Sequence, residues 1–578
     1  MNVTNRREFL GLVTAGLALA GCGNVSVEGY VGQHGNQFME DFLFPFVQIP
    51  SVSSDPKRKS DVLRASRFLV DELRRSKLDA RAIELEEGNP IVYGERHVSS
   101  QKPTVLVYGH YDVQPIKLPD KWVVDGVRLN PFEPTVIDGR VYGRGTADDK
   151  GQMAAHALAM RYFNEASDFP CNIKMIFEGN EEGGGSTIED FIQSNQDLLA
   201  CDAVIVSDTG TLVEGHPALT TSLKGYCGAD LKSTKPEELI AIIHSSHNPR
   251  INRTLLNGFY DNVASQQIDP ATATLAESGD PRDDLGTFLK PEVGFTQLEH
   301  RWYRPTNSPL FLSYANPNPS SRANQKTIKI VVQGPNTALH SGHFGGPVQE
   351  PALNLAHVLG GLKEEGVDYE IDYIDYGSRV FSTSIQPTGE VQITFSNKVN
   401  INPAIERVVK KYDLFGDIFS VRDVSNGKAY LGEERFTEES HTPTARVSFR
   451  LVPNQNPQRI YDSFVELTRR ISPYVEIKDY DLLTPFNTDT HNRYFGAVMR
   501  GLQQGYGTND VHLKASGGTI PITHTFANTL HAPIILAGFA SPTDNKHAPR
   551  ESIPIEKGIF AGARSMAYAF REIGAMRK

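Results

Sequence analysis

The chain has 578 residues, too many for a single hydrophobic core at the usual ~100–200 residues per domain, so at least two domains are expected. With 39% hydrophobic and 22% charged residues it has the make-up of an ordinary folded protein, not of a disordered or fibrous one. A formal net charge of -11 excludes the basic footprint of a nucleic-acid binder, so no nucleic-acid partner is expected.

The first elements form a targeting segment, residues 1–30. Arg6-Arg7 stands ahead of an apolar stretch from Leu10 to Ala20, in the manner of a twin-arginine export signal. The stretch is shorter than the ~20 residues that span a bilayer. It ends on Leu19-Ala20-Gly21-Cys22, which resembles a bacterial lipobox with Cys22 as the lipidated residue. The expectation is a periplasmic protein of a bacterial cell envelope, touching the membrane through that lipid alone. Cys171, Cys201 and Cys227 remain, an odd number without C-x-x-C spacing, which argues against a disulfide framework and a thiolate zinc site.

From Phe38 onward helical and strand-like segments alternate, the pattern of an α/β layer fold. Helical periodicity covers Val62 to Leu78, the stretch after Lys150, and Ile188 to Leu199. Strand-like runs cover Thr104 to Tyr108, Asn172 to Phe177, Ala203 to Val206 and Pro533 to Gly538. Between Lys326 and Tyr480 the order is β-α-β-β-α-β: strands at Thr327–Val332, Glu390–Phe395, Ala445–Leu451 and Val475–Lys478, with helices at Pro351–Lys363 and Gln458–Ile471. That order suggests a small ferredoxin-like domain inserted in the main one. The boundaries are 36–230 and 487–578 for the main domain, 326–482 for the inserted one, and 231–325 for a loop-rich irregular insertion. No internal repeat or low-complexity tract stands out.

Acidic and histidine clusters sit just beyond the apolar runs, where open α/β sheets place their ligand sites. His110 ends one run and Asp112 follows two residues later, a carboxylate able to hold the imidazole's second nitrogen. Asp148 lies in the glycine-rich Gly143-Arg144-Gly145-Thr146-Ala147-Asp148-Asp149-Lys150-Gly151, ahead of a helix, where an N-cap role is the plainer reading. Glu181 and Glu182 are adjacent carboxylates whose repulsion a cation would relieve. Asp208 and His547 complete two imidazoles and three carboxylates, an inventory suited to two divalent ions.

The set Gly109-His110-Tyr111-Asp112-Val113-Gln114-Pro115, the glycine-rich loop from Gly143, Glu178-Gly179-Asn180-Glu181-Glu182, Ser207-Asp208-Thr209, His340-Ser341-Gly342-His343, Ser448 to Gln455 and Gly517-Gly518-Thr519 resembles the carnosinase-like dizinc metallopeptidases of the aminoacylase and glutamate carboxypeptidase clan. The resemblance implies a three-layer α/β/α catalytic domain with a ferredoxin-like lid and dimerisation domain, acting as a homodimer. It implies His110 and Asp208 on one metal, Glu182 and His547 on the other, and Asp148 bridging. The ions would be zinc, with manganese also suited to the oxygen-rich ligands. It further implies Asp112 as the orienter of His110, Glu181 as general base, and a cis peptide at Asp148-Asp149. His340 would stabilise the oxyanion in a partner subunit's site, Arg450 would hold a substrate carboxylate, and Gly518 and Thr519 would line the pocket.

One departure stands out. Gly258-Phe259-Tyr260-Asp261-Asn262-Val263 and Arg304-Pro305-Thr306 resemble phrases that usually follow the His-Ser-Gly phrase, yet here they precede it. The expected activity is hydrolysis of dipeptides or short peptides by a dipeptidase or aminopeptidase. The alternatives are an N-acyl amino acid deacylase or carboxypeptidase, and a non-catalytic peptide-binding lipoprotein.

Overall fold

The computed structural model describes residues 25–577 apart from 248–305 and shorter stretches, chiefly between 308 and 454. Its contacts divide the chain into two units: Met1–Ser222 with Asn487–Ser516 and Ile520–Lys578, and Leu223–Phe486 with Gly517–Thr519.

The first unit grows from short apolar runs that become strands buried on both faces. Its early strands are β1 (Asp79–Ile83), β2 (Ile91–Arg96), β3 (Thr104–His110), β4 (Asn172–Glu178), β5 (Ala203–Val206) and β6 (Ala218–Leu223). Every residue of β3 and β5 is buried, as a strand sandwiched between helical layers requires. Among the described residues the sheet has nine strands, in the order β1-β2-β4-β3-β5, then Ile534–Leu536, β6 and Phe486–Asn487, with His512–Ser516 also paired to β6. The central four, β4, β3, β5 and Ile534–Leu536, run parallel. Their C-terminal ends therefore open on one edge, and His110 pairs across to Glu178 there.

Helices α1 (Val27–Phe38), α2 (Lys59–Arg75) and α3 (Lys150–Ala166) belong to the same unit. The helix read over Val62–Leu78 begins earlier, because a turn at Pro56–Arg58, capped by the Asp55 carboxylate, feeds directly into it. The helix read over Ile188–Leu199 breaks at Asn195 into Thr187–Ser194 and Gln196–Leu199. Residues Lys150–Met160 of α3 are buried on all sides, which its alanines permit by letting neighbours approach closely.

The second unit corrects two expectations. The stretch 231–325 is not wholly irregular: β7 (Gly225–Lys232) runs into it, α4 (Pro236–His247) lies within it, and β8 (Phe311–Ala315) joins the unit's sheet. Continuing along the chain come β9 (Gln325–Gln333), α5 (Pro351–Glu364), β10 (Tyr369–Tyr376), β11 (Thr388–Ser396), α6 (Asn402–Lys411) and β12 (Phe419–Asp423). Then follow β13 (Thr444–Leu451), α7 (Pro457–Ile471) and β14 (Glu476–Leu483). The main path of the sheet is antiparallel throughout, in the order β12-β9-β11-β10-β8-β13-β7-β14. One small ferredoxin-like domain does not account for eight strands; the path holds two sets of four. A single apolar core, with Leu239 and Ile243 of α4, Val358 and Leu359 of α5, Ile393 of β11 and Val447 of β13, runs beneath them.

Candidate metal centre and active site

The site is assembled at the edge where the parallel strands of the first unit end. β3 delivers His110, fully buried, and the chain then turns so that Asp112 comes beside the ring. His110 Nδ1 lies 3.2 Å from the Asp112 carbonyl and 3.4 Å from its carboxylate Oδ1. Asp112 is itself held, accepting from Ser53 Oγ at 2.5 Å and from the Glu182 backbone N–H at 2.9 Å. A carboxylate fixed from two sides orients an imidazole and raises its basicity.

The glycine-rich loop brings Asp148 to the other face of that ring, with Oδ1 3.3 Å from His110 Nε2. Gly145 holds φ +89°, and a Cβ there would meet Val113 Cγ1 at 2.7 Å, so the turn requires glycine. Buried Glu551 pins the loop, accepting from the N–H groups of Gly145, Ala147 and Asp148 at 3.0, 2.9 and 3.1 Å and from Arg144 at 2.5 Å. Asp149, not Asp148, stands at the N-cap of α3, and without a side-chain capping bond. The Asp148-Asp149 peptide is cis.

Glu182 follows β4. Gln114 donates to its Oε2 at 2.7 Å, and its Oε1 lies 3.3 Å from His547 Nε2. His547 Nε2 is also 3.0 Å from Asp148 Oδ2. Two triads result, His110-Asp148-Asp208 and Asp148-Glu182-His547, each with its ligand atoms within 4.8 Å of one another. Asp148 belongs to both. Beyond its ion pair with His547, Glu182 Oε1 is buried without a hydrogen-bond donor. Two imidazoles and three carboxylates meeting this way suit two divalent cations.

The electrostatics reflect the crowding. Burial pushes the Asp208 carboxyl up to about 6, with Lys546 opposing and Asp148 adding to the rise. Burial disfavours charge on His547, yet Glu182 and Asp148 outweigh it and lift the imidazole to about 10. Glu181 is held well above the ordinary carboxylate range by burial and by Glu182, Asp208 and Asp148, against the pull of His110.

Lys546 was not singled out by sequence reasoning. Its Nζ lies 3.1 Å from Asp208 Oδ1 and 3.4 Å from Asp148 Oδ1, so its charge belongs to the site. A lone lysine beside a histidine carries no sequence signal, because most lysines face water. Glu551 was likewise invisible, since its role is to receive backbone N–H groups from a loop some four hundred positions earlier. The remaining sequence candidates belong to the second unit. His340 lies on the short strand Leu339–His340, paired with Ser384–Ile385. Arg450 lies on β13 opposite Tyr226 of β7. Thr519 donates through Oγ1 to the Lys224 carbonyl at 2.8 Å, and Gly518 falls outside the described residues.

Comparison with known proteins gives the family. The family model for peptidase family M20/M25/M40 matches residues 106–572, well over half of the chain. The Cys-Gly metallodipeptidase dug1 of Schizosaccharomyces pombe is 33% identical over 298 residues, covering 45% of this chain and 61% of that enzyme's length. The Beta-Ala-His dipeptidase of Homo sapiens is 30% identical over 545 residues, covering 91% of this chain and 88% of that protein. The crystal structure of human carnosine dipeptidase 1 superposes with a TM-score of 0.61 at 18% identity, covering 95% of this chain and 99% of that one, a likeness of fold.

That kinship overturns the expected bacterial-envelope location, with its twin-arginine export and lipid on Cys22. These relatives are eukaryotic proteins, and nothing in the comparisons indicates a twin-arginine or lipoprotein signal. Paired arginines and a four-residue Leu19-Ala20-Gly21-Cys22 are short enough to arise without that meaning, and both lie outside the described residues. No described helix is long and apolar enough to cross a membrane.

Proposed function

Because this chain belongs to the M20/M25/M40 peptidase family, we propose that it is a metal-dependent dipeptidase that hydrolyses the amide bond of dipeptides or other short peptides. The observation that carries the reading is the pair of triads sharing Asp148 with Glu181 beside them. The dipeptidases among its relatives agree with that substrate class. Two divalent cations, zinc or manganese, would be held by His110, Asp148 and Asp208 on one side and Asp148, Glu182 and His547 on the other. When bound, such ions lower the pKa of a shared water and polarise the scissile carbonyl.

The chain's own groups do the rest. Asp112 keeps His110 in one ring orientation through the contacts at 3.2 and 3.4 Å. Glu181, whose proton affinity is raised by burial and by its acidic neighbours, takes the proton of the attacking water and returns it to the leaving amine. Arg450 fits a small substrate with a free carboxylate, which a guanidinium can hold as a fork. Thr519 and Gly518 would bound the pocket, and His340 would donate to the developing oxyanion.

The test is a panel of free dipeptides against N-acylated amino acids, using purified protein loaded with zinc or manganese. Turnover of dipeptides that stops on chelation and returns with metal is the expected outcome. Metal-replete protein that cleaves only N-acyl amino acids would reassign it as a deacylase, and protein that binds peptides without turnover would reassign it as a binder.

A further inference from the structure

The strand order of the second unit contains a symmetry. β7, α4, β8, β13, α7 and β14 form one β-α-β-β-α-β set, and β9, α5, β10, β11, α6 and β12 form another. Numbering strands within each set, the sheet reads 4-1-3-2 and then 2-3-1-4. Each half is a complete ferredoxin-like sheet, and they meet through their equivalent second strands. β8 and β10 pair antiparallel, Leu312 opposite Tyr376 and Ala315 opposite Tyr373.

Sequence and packing follow the same symmetry. The third strand of each set leads into its second helix through Asn-Pro: Gln392-Ile393-Thr394-Phe395 precedes Asn402-Pro403, and Val447-Ser448-Phe449-Arg450 precedes Asn456-Pro457. The first helices, α4 and α5, both open on proline, at Pro236 and Pro351. They pack on each other, with buried His244 Nδ1 3.1 Å from His357 Nδ1. A Cβ on Gly360 of α5 would meet the His244 ring at 2.5 Å, so the two helices meet at close range.

Antiparallel pairing of one edge strand with its own equivalent is the arrangement by which two copies of a domain make an isologous, two-fold dimer. Here both copies are in one polypeptide, over one core. We infer that the second unit is an internal duplication in which repeat 325–423 stands where a partner subunit's lid would pair, so that a single chain is the complete catalytic unit. The second-strand edge of each repeat is already filled, leaving a second molecule no equivalent edge there. The early placement of the Gly258 and Arg304 phrases follows, because the inserted repeat lies between the second and third strands of the outer one. His340 lies on the inserted repeat, so the group that the resemblance takes from a partner comes from the same chain.

Two measurements test this, the second resting on the dipeptidase reading and the first independent of it. Light scattering coupled to gel filtration at assay concentrations is expected to give one species near 63.9 kDa. A species of twice that mass would overturn the inference, whatever the substrate. Glu181→Gln and His340→Ala chains, each purified and then mixed or co-expressed, are expected to stay as inactive as either alone. Recovery of about a quarter of wild-type activity, the value for random pairing of subunits that share sites across a two-fold, would also overturn it.

Discussion

The two large sheets among the described residues divide the work between chemistry and architecture. In the first, four parallel strands end on one edge, short phrases just past those ends supply His110, Glu182 and Asp208, and the glycine-rich loop ahead of α3 adds Asp148. In the second, eight antiparallel strands are ordered by a pseudo-two-fold, and what is repeated is a pairing pattern, not a set of reactive groups. A parallel sheet collects functional side chains because all its strands point the same way. An antiparallel one offers edges, and here an edge is closed by a second copy.

Substitutions that act on one sheet without the other would sharpen that division. The largest effect is expected from Glu181→Gln, a loss of roughly 10²–10⁴ in kcat with metal content and molecular mass unchanged. Steady-state kinetics beside elemental analysis would show it, and loss of metal instead would make Glu181 a ligand. Next comes Arg144→Met, which leaves Glu551 buried without its cation and should cost about 3–5 kcal/mol of stability. Denaturant unfolding would measure this, with a cost near zero meaning that the loop's N–H groups hold the carboxylate unaided. Asp112→Ala should weaken metal affinity by roughly 10–100-fold while the fold remains, and an unchanged titration would remove Asp112 from its orienting role.

Gly360→Ala turns to the other sheet. The added methyl presses on the His244 ring, and a cost of about 1–3 kcal/mol is expected with turnover per folded molecule retained. A pH-dependent effect is expected at Glu178, whose carboxyl burial lifts to about 8 while Tyr108 donates to it at 2.6 Å. Its folded-state pKa lies above the unfolded one, so its stabilisation is complete below about pH 4.5 and is lost as pH rises toward 8. Glu178→Gln cannot ionise, and its melting temperature should gain on the wild type between pH 5 and pH 9. A constant difference would show that this carboxyl does not titrate in that range.

Much of the first sheet was legible because its signals are local. β5 occupies the run Ala203–Val206 as read, and His110, Glu182 and Asp208 each lie within a few residues of an apolar run. The second sheet was harder. β10, interrupted by Glu370, Asp372 and Asp375, does not read as an apolar strand run, and α6 is a short amphipathic helix behind Asn402-Pro403. With β10, α6 and β12 unread in the inner half and α4 and β8 unread in the outer one, each half lacked its full complement and the repeat stayed hidden. In the site, Lys546 and Glu551 were unreadable for a different reason: their meaning lies in partners at Asp148, Asp208 and the 145–148 backbone, which only the fold brings near.

The insertion of one repeat inside the other has a consequence for how the chain reaches its native state. The inner repeat is contiguous from Gln325 to Asp423 and can close on itself. The outer one must join β8 to β13 across everything between them. Closing a loop of that length costs less entropy once its interior is already collapsed. Synthesis proceeds from the N-terminus, so β7, α4 and β8 emerge before they can be completed and wait, edges open, until residues beyond Thr444 arrive. The second sheet is thus built from the inside outward, and that waiting interval is when this chain is most exposed to pairing with a neighbour.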